Sequence, residues 1–292
     1  MIKFDISLSE LSNVRGIGKK TIQRIREYKL ADEGYVSEYD EDLHLEKNSI
    51  NNGDCLKLMN GIPDKSIDMI LADLPYGTTA CSWDSVINLD KLWLQYERII
   101  KDNGAIVLTA SQPFTTELIN SNKQLFRYEW IWKKAVGSNF GAVKYQPMKE
   151  HESVLVFSKE THKYFPILEE RKGSGAERMK YAHNCKLKTK FMGGMRKNQE
   201  NKFYNENKRN PSSVQFFNNR EKSRGLHPTQ KPVALFEYLI KTYTNKNDTV
   251  LDNVSGSGTT AVACINTDRN YICIEQDKEY YEKSLERIQC EQ

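Results

Sequence analysis

The chain has 292 residues, of which 38% are hydrophobic and 28% charged, and its formal net charge is +4; these values are typical of a globular protein with one large α/β domain and a small appendage. No apolar run approaches the ~18 residues of a membrane span, and the start MIKFDISLSE has no signal-peptide pattern, so we expect a cytoplasmic protein that does not enter a membrane. The six cysteines form no C-x-x-C pair and no zinc spacing with histidine, which predicts reduced thiols and no metal site.

The N-terminal region predicts a small helical module over residues 1–31, with apolar residues on both sides of a Gly-x-Gly turn. The stretch VRGIGKK at 14–20 resembles a helix-hairpin-helix element, in which backbone N–H groups of the turn contact a phosphate. The resemblance implies sequence-independent DNA contacts through Gly16, Gly18, Lys19 and Lys20. A small helical cap or a dimer contact is the alternative. Residues 32–46 hold seven acidic and no basic residues, which indicates an acidic linker.

Short apolar strands then alternate with amphipathic helices, which predicts a doubly wound α/β domain with a mostly parallel sheet over residues 47–292. We expect strands at 67–72, 105–110, 128–132, 153–157, 249–252 and 270–275. We expect helices at 89–101, 232–243, 259–265 and 278–288. Asn103-Gly104 is expected to end the first of these helices.

Within this domain, residues 160–226 are polar and rich in asparagine and show little periodicity, so we predict an irregular, functional insertion. Positive charge is concentrated there, because residues 171–224 contain 15 Lys or Arg and four Asp or Glu. This uneven distribution indicates a polyanionic partner that meets the basic segments. A solvated, partly disordered insertion is the alternative, and the two interpretations are compatible because such segments often become ordered on binding.

Residues 249–275 have the pattern of a nucleotide-type binding unit. A strand ending at Asp252 leads into a turn with Gly256 and Gly258, a helix beginning at Thr259, and a second strand ending at Glu275. The glycines allow the backbone to approach a ligand closely, and an acid about 20 residues further on can accept hydrogen bonds from two ribose hydroxyls. A tight strand–helix turn without a ligand is the alternative.

A second candidate site follows the apolar strand at 67–72, where the sequence is DLPY. Ligands bind α/β sheets at the carboxyl ends of their strands. The carboxylate of Asp73, the ring of Pro75 and the aromatic ring of Tyr76 together suit a planar heterocycle with an amino group. A turn that ends the strand is the alternative, since Asp, Pro and Gly all favour turns.

Taken together, these motifs resemble the amino-group DNA methyltransferases of the class whose catalytic motif precedes the cofactor motif. DLPY is similar to the family's D/N/S-P-P-Y, and DNVSGSGTT at 252–260 is similar to its D-P-F-x-G-S-G-T-T. HPTQKP at 227–232 matches H-P-T-x-K-P, and NGDCL at 52–56 resembles a further cofactor segment. Relatives that act on RNA or protein usually have the opposite motif order, so the order favours DNA as the substrate.

The resemblance implies a Rossmann-like methyltransferase fold and S-adenosylmethionine as cofactor. Gly256 and Gly258 would approach its methionine part, and Thr229 and Lys231 would contact its carboxylate. Glu275 would bind the ribose hydroxyls. The remaining residues implied at the cofactor are Asp54 and Cys55, beside the adenine ring, with Asp252 and Thr259 at the turn.

The resemblance also implies the catalytic roles. Asp73 and the backbone carbonyl of Leu74 would accept hydrogen bonds from the target amino group, and Tyr76 would stack on the flipped base beside Pro75. Two acceptors favour an sp³-like nitrogen and stabilise the positive charge that develops on it. Leu74 replaces the family's first proline, and Asn253-Val254 replaces Pro-Phe, so loop rigidity and one aromatic cofactor contact are expected to differ.

We therefore predict a site-specific DNA methyltransferase, of the kind found in restriction–modification, that acts on N6 of adenine, because Asp at position 73 favours adenine over cytosine. N4 of cytosine, RNA methylation and a catalytically inactive DNA-binding regulator are the alternatives. The insertion corresponds to the family's target-recognition region. Its candidate DNA contacts are Arg196, Lys197, Arg209 and Arg220. A homodimer is expected by resemblance.

Overall fold

In a computed structural model, the described part of the chain comprises residues 18–32, 34–35, 37–77, 86–171, 208–220 and 230–291. The chain divides into two compact units, of which the larger contains Met1–Phe165 and Ser213–Gln292 and the smaller contains Pro166–Ser212. In the smaller unit, the described residues include two short antiparallel strands, β6 (Glu169–Glu170) and β7 (Lys208–Arg209).

The larger unit contains one mixed eight-stranded sheet. Its strands are β1 (Ser49–Asn52), β2 (Ile67–Ala72), β3 (Ile100–Ala110), β4 (Phe126–Ser138), β5 (Lys149–Phe157), β8 (Val214–Phe217), β9 (Thr249–Asp252) and β10 (Asn270–Glu275). They lie in the order β1-β10-β9-β2-β3-β5-β4-β8. In this spatial order, the first five strands (β1, β10, β9, β2 and β3) are parallel to one another. Strand β5 is antiparallel to both of its neighbours, and β8 is parallel to β4. The predicted mostly parallel α/β fold is confirmed.

Helices cover both faces of the sheet. They are α1 (Lys19–Asp32), α2 (Cys55–Leu58), α3 (Leu89–Ile99), α4 (Phe114–Ser121), α5 (Val233–Tyr243), α6 (Thr259–Ile265) and α7 (Lys278–Glu291). Helices α3 and α4 share one buried core with Ile70 and Ala72 of β2, whereas α5, α6 and α7 share the other with Met69 and Leu71. This alternation follows from the two-residue period of a strand, and it explains why every residue of β2 is buried.

Four predicted elements have the bounds that the sequence indicated, namely β2, β9, β10 and α6. The prediction for the end of the first long helix was wrong. Helix α3 ends at Ile99, and Asn103-Gly104 lies inside the long strand β3. Residue Ile100 pairs with Ile67, and the register shifts before Ala105 pairs with Met69. Gly104 fits there because a Cβ would lie 2.8 Å from the carbonyl oxygen of Asp68.

Strands β4 and β5 form an antiparallel hairpin that is longer than the two predicted strands. Residues 149–152 of β5, and the residues of β4 that pair with this stretch, extend past the carboxyl end of β3, where Ala110 pairs with Ser153. The expectation of irregular structure throughout 160–226 was also wrong in part, because β8 pairs with β4 in the main sheet. Strand β8 alternates exposed and half-buried residues, which is the pattern of a strand at the edge of a sheet.

The N-terminal helix α1 packs against α3 through a buried arginine. The side chain of Arg26 is 2% exposed and lies 3.0 Å from Glu97 and 3.3 Å from Asp90. The acidic stretch at 32–46 contacts the rest of the larger unit through a backbone hydrogen bond, in which the N–H of Asp40 donates to the carbonyl of Asn60 at 2.8 Å. Among the described helices, none has both the length and the apolar character that crossing a bilayer requires.

Candidate active site

The site lies at the carboxyl ends of neighbouring parallel strands. Strands β2 and β9 pair at Ile70 and Leu251, and β10 pairs with β9 on its other side. The residues that end these strands, or follow them directly, therefore share one edge of the sheet, where α/β proteins bind their ligands. The structure brings Asp73, Asp252 and Glu275 to this edge, in the places that the sequence indicated.

Asp73 is held by three donors. Its Oδ1 accepts a hydrogen bond from the hydroxyl of Tyr76 at 2.8 Å and another from the hydroxyl of Thr109. Its Oδ2 lies 2.5 Å from Nζ of Lys231. Hydrogen bonds to an ionised group are the strong ones, so these contacts fix the orientation of the carboxylate.

Tyr76 is enclosed between polar and aromatic partners. Its ring stacks on Phe114, with 5.4 Å between centroids and an interplanar angle of 26°. Burial, reinforced by the nearby charge of Asp73, raises the pKa of the Tyr76 hydroxyl well above its usual value. The hydroxyl is therefore protonated at neutral pH and donates to Asp73. Leu74 is 3% exposed and belongs to the core, which anchors the turn between Asp73 and Tyr76.

Two residues that the sequence did not indicate complete this side of the site. Glu152 of β5 lies 3.4 Å from Nζ of Lys231, and its other oxygen lies 2.5 Å from Nζ of Lys134. Burial alone would raise the pKa of Glu152, but the two ammonium groups outweigh it and the pKa is lowered. Burial alone would lower the pKa of Lys231, but the carboxylates of Asp73 and Glu152 outweigh it and the pKa is raised. Glu152 and Lys231 are therefore both charged at neutral pH.

The glycine-rich turn after β9 is set by two residues in the left-handed region. Gly256 has φ 51° and Gly258 has φ 75°. A Cβ on Gly258 would lie 3.1 Å from Cβ of Ser284, so this glycine also allows α7 to pack closely. Asp252 accepts hydrogen bonds from the backbone of Val254 at 3.1 Å and from the hydroxyl of Thr260.

Burial raises the pKa of Asp252 to about 7, in spite of these hydrogen bonds, and the charges of Asp73 and Glu275 act in the same direction. Glu275 accepts from the backbone N–H of Gly256 at 2.6 Å and from that of Asp277 at 2.8 Å. A carboxylate has about four acceptor positions, so two of those on Glu275 remain for a ligand.

Asp54 caps the short helix α2 by accepting from the backbone N–H of Leu56 at 2.8 Å. Cys55 follows it and is buried, and this burial raises the pKa of its thiol to about 11. Such a thiol is protonated at neutral pH, so it packs and does not act as a nucleophile. Thr259, at the start of α6, accepts a hydrogen bond at 3.2 Å from Arg287, a buried arginine that the sequence did not indicate.

The same edge offers buried polar atoms to a ligand. Among the described residues, the hydroxyls of Ser111, after β3, and Ser255, after β9, are buried and make no hydrogen bond. Such groups are uncommon in folded proteins and indicate a missing partner. With the acceptor positions of Glu275, they fit a polar ligand with hydroxyl and amino groups. Within the described ranges, no three His, Cys, Asp or Glu residues are grouped as a metal site.

The family follows from comparison with known proteins. A family model described as "DNA methylase", for N6 and N4 methyltransferases, matches residues 67–286, about three quarters of the chain. The chain belongs to this family of DNA methylases. The type II methyltransferase M2.MboI of Moraxella bovis is 31% identical to it over 264 residues, which cover 82% of the chain and 86% of that protein. Family membership confirms the expected methyltransferase fold and S-adenosylmethionine as cofactor.

Solved structures agree on the architecture of this methylase. A crystal structure of a complex of M1.HpyAVI with SAM has a TM-score of 0.56 and 23% identity, and the match covers 82% of this chain and 98% of that one. The PvuII DNA methyltransferase, which is cytosine-N4-specific, has a TM-score of 0.56 and 17% identity over 84% of this chain and 87% of its own. At these identities the likeness concerns the fold.

The candidate DNA contacts of the methylase are only partly within the described residues. Gly16, Arg196 and Lys197 lie outside them, as does Thr229, which is a candidate cofactor contact. Gly18 and Lys20 are exposed at the start of α1, where Nζ of Lys19 donates to the carbonyl of Lys159 at 3.1 Å. In the smaller unit, Arg209 forms an ion pair with Glu169 at 2.8 Å. Arg220 is exposed after β8.

Proposed function

We propose that the chain is a site-specific DNA methyltransferase that transfers a methyl group from S-adenosylmethionine to N6 of an adenine flipped out of the duplex. The observation that carries this proposal is the Asp73 carboxylate, held beside Tyr76 at the sheet edge that also holds Asp252 and Glu275. This arrangement combines an acceptor for an amino group, an aromatic ring for a base and a nucleotide-type turn.

The chain's own residues would bind the cofactor at the ends of β9 and β10. S-adenosylmethionine, when bound, supplies an electrophilic methyl group on a sulfonium. Glu275 would accept from the ribose hydroxyls with its two remaining positions. The turn from Gly256 to Gly258, which begins α6 at Thr259, would approach the methionine part beside Asp252. Asp54 and Cys55 would lie beside the adenine ring, and Thr229 would contact the carboxylate of the methionine part. The Nζ of Lys231, which was also expected at that carboxylate, lies 2.5 Å from Asp73 and 3.4 Å from Glu152 instead.

The catalytic residues would act on the nitrogen of the target base. Asp73 accepts one N–H of the amino group, and the backbone carbonyl of Leu74 accepts the other. These acceptors draw the N–H bonds out of the ring plane, so that the lone pair is available for attack, and they stabilise the positive charge that develops. Stacking on Tyr76 offsets part of the few kcal/mol that flipping the base costs.

Adenine is favoured over cytosine because residue 73 is aspartate in this sequence. The alternative is N4 of cytosine, which presents the same kind of amino group; one structurally similar protein is a cytosine-N4-specific DNA methyltransferase. The basic segment 171–224 and the N-terminal element at 14–20 would supply contacts to phosphates. A DNA-binding regulator without turnover is the other alternative.

The test uses the purified protein, labelled S-adenosylmethionine and unmethylated genomic DNA, followed by digestion to nucleosides and mass spectrometry. We expect N6-methyladenine, which disappears in Asp73→Ala and persists in Asp42→Ala, the same change at an exposed residue. N4-methylcytosine would contradict the base assignment alone. DNA binding without any methylated nucleoside, with cofactor binding intact, would favour the regulator.

A further inference from the structure

In the proposed function, Lys231 and the target amino group compete for the carboxylate of Asp73. Its Oδ1 is engaged by two hydroxyls, and the ammonium group of Lys231 lies 2.5 Å from its Oδ2. The same Nζ lies 5.8 Å from the centroid of the Tyr76 ring. Lys231 therefore occupies space beside both groups that a flipped base would use. A charged donor binds a carboxylate more strongly than a neutral amino group does, so Lys231 competes with the amino group for Oδ2 of Asp73.

Glu152 offers Lys231 a second anion at close range. Its Oε2 lies 3.4 Å from Nζ of Lys231 but makes no hydrogen bond with any described residue. The side chain is 12% exposed, so little solvent is available to donate a hydrogen bond to this oxygen. A buried acceptor without a hydrogen bond is costly, and a shift of Nζ by about 1 Å would supply one.

Lys134 holds Glu152 in this position from the other side. Its Nζ lies 2.5 Å from Oε1 of Glu152 and 5.2 Å from the centroid of the Trp132 ring. The two lysine side chains are 8% exposed, and those of Glu152 and Asp73 are 12% and 22% exposed. The two buried lysines and the two partly exposed carboxylates form a cluster whose formal charges cancel. Loss of one carboxylate would leave an excess ammonium charge directed at the other.

We infer that Glu152 is a positioning residue for methyl transfer: it receives Lys231 when the target amino group takes the place of Lys231 on Asp73. The inference rests on the proposed function, in which Asp73 accepts from that amino group. The step exchanges hydrogen bonds and ion pairs only, and no covalent bond changes. Without Glu152, Lys231 stays on Asp73, and the amino group is held less often in the reactive geometry.

The experiment compares Glu152→Gln with Glu150→Gln, the same change at an exposed residue of the same strand. The transfer rate is measured in single turnovers on unmethylated DNA at saturating S-adenosylmethionine, together with thermal unfolding and the cofactor Kd. We expect Glu152→Gln to remain folded, to keep its cofactor Kd within about twofold, and to transfer methyl about ten- to a hundredfold more slowly, as expected for a misplaced reacting group. Glu150→Gln should transfer at the unaltered rate.

A double-mutant cycle separates positioning from a merely structural role, because residues that act on one another give non-additive effects. Replacing Lys231 by Met removes the competing charge. In the Glu152→Gln background this second change should cost much less than it does alone, or restore part of the rate. Additive losses, or an unaltered rate in Glu152→Gln, would overturn the inference while the unaltered protein still methylates DNA. No methylation by the unaltered protein would overturn the proposed function instead.

Discussion

Asp252 makes a testable contribution to stability as a single residue. Its pKa is about 7 in the folded protein, against an ordinary value of 3.8, because it is buried. The folded state therefore binds a proton between these values that the unfolded state has lost. The free energy of unfolding should fall as the pH rises from about 4 to about 7 and then level off.

Asp252→Asn removes this titration while it retains an oxygen for Val254 and gains a donor for Thr260. We expect the cofactor-free variant to be more stable than the unaltered protein at pH 8, by up to about 4 kcal/mol, and to lose this advantage towards pH 4. Urea denaturation at both pH values measures it.

Asp268→Asn is the matched control for this measurement. Asp268 is exposed, and its hydrogen bond with Lys246 lowers its pKa. Its φ of 59° is one that asparagine adopts readily. This change should not stabilise the protein at pH 8. If the free energy of unfolding of Asp252→Asn equals that of the unaltered protein at every pH, Asp252 titrates normally and the prediction is wrong.

The residues of the site differ in how well the sequence reveals them. Asp73, Asp252 and Glu275 follow buried strands, so their shared edge could be predicted from strand order alone. Glu152 could not, because it joins the site through the antiparallel return of β5 beside β3, and nothing local marks that pairing. Lys231 was expected at the cofactor, whereas its Nζ lies on Asp73, a contact between residues 158 positions apart that no local pattern marks.

At the scale of elements, the packing of α1 on α3 depends on Arg26. Its guanidinium lies 3.0 Å from Glu97 and also donates to the carbonyl of Ser121 at 3.0 Å. Burial raises the pKa of Glu97, although Arg26 and Asn122 oppose the shift. Arg26→Ala would leave that carboxylate buried without its cation. We expect a loss of about 3 kcal/mol or more in the free energy of unfolding, measured in urea on the full chain.

Lys29→Ala is the control, because Lys29 is 57% exposed and lies 3.9 Å from Asp90. Exposed pairs of this kind contribute about 1 kcal/mol at most. If α1 belonged to a separable module over residues 1–31, Arg26→Ala would leave the main unfolding transition unchanged, and the packing seen between α1 and α3 would carry no stability.

Elements with strong local signals were predicted well, and elements that depend on pairing were not. Strands β9 and β10 and helix α6 have an uninterrupted apolar pattern between turn residues, which fixes their bounds. Strand β3 begins before a glycine that normally ends a helix, because Ile100 pairs with Ile67. Strand β8 is half exposed, so its apolar content is too low for periodicity to reveal it.

At the scale of the molecule, the two units differ in charge. Residues 166–212 contain 12 Lys or Arg and five Asp or Glu, which gives this segment a net charge of +7. Because the whole chain has a net charge of +4, the rest of it has a net charge of −3. The residues on either side of this segment make backbone hydrogen bonds within the larger unit. The N–H of Phe165 donates to the carbonyl of Thr242 at 2.7 Å, and the N–H of Ile131 donates to the carbonyl of Ser213 at 2.8 Å. The residues proposed for catalysis and for cofactor binding all belong to the larger unit.

Replacing residues 166–212 by a Gly/Ser linker of about 20 residues should therefore separate DNA binding from cofactor binding. We expect the shortened protein to keep its unfolding midpoint and its Kd for S-adenosylmethionine, since its sheet and cores remain intact. Its affinity for DNA should fall, and the dependence of log Kd on log salt concentration should become flatter, because fewer phosphates are neutralised. Both are measured by titrating labelled duplex DNA at several salt concentrations. An unaltered affinity with an unaltered salt slope would assign the phosphate contacts to the larger unit, where Lys19 and Lys20 at the start of α1 are the first residues to replace.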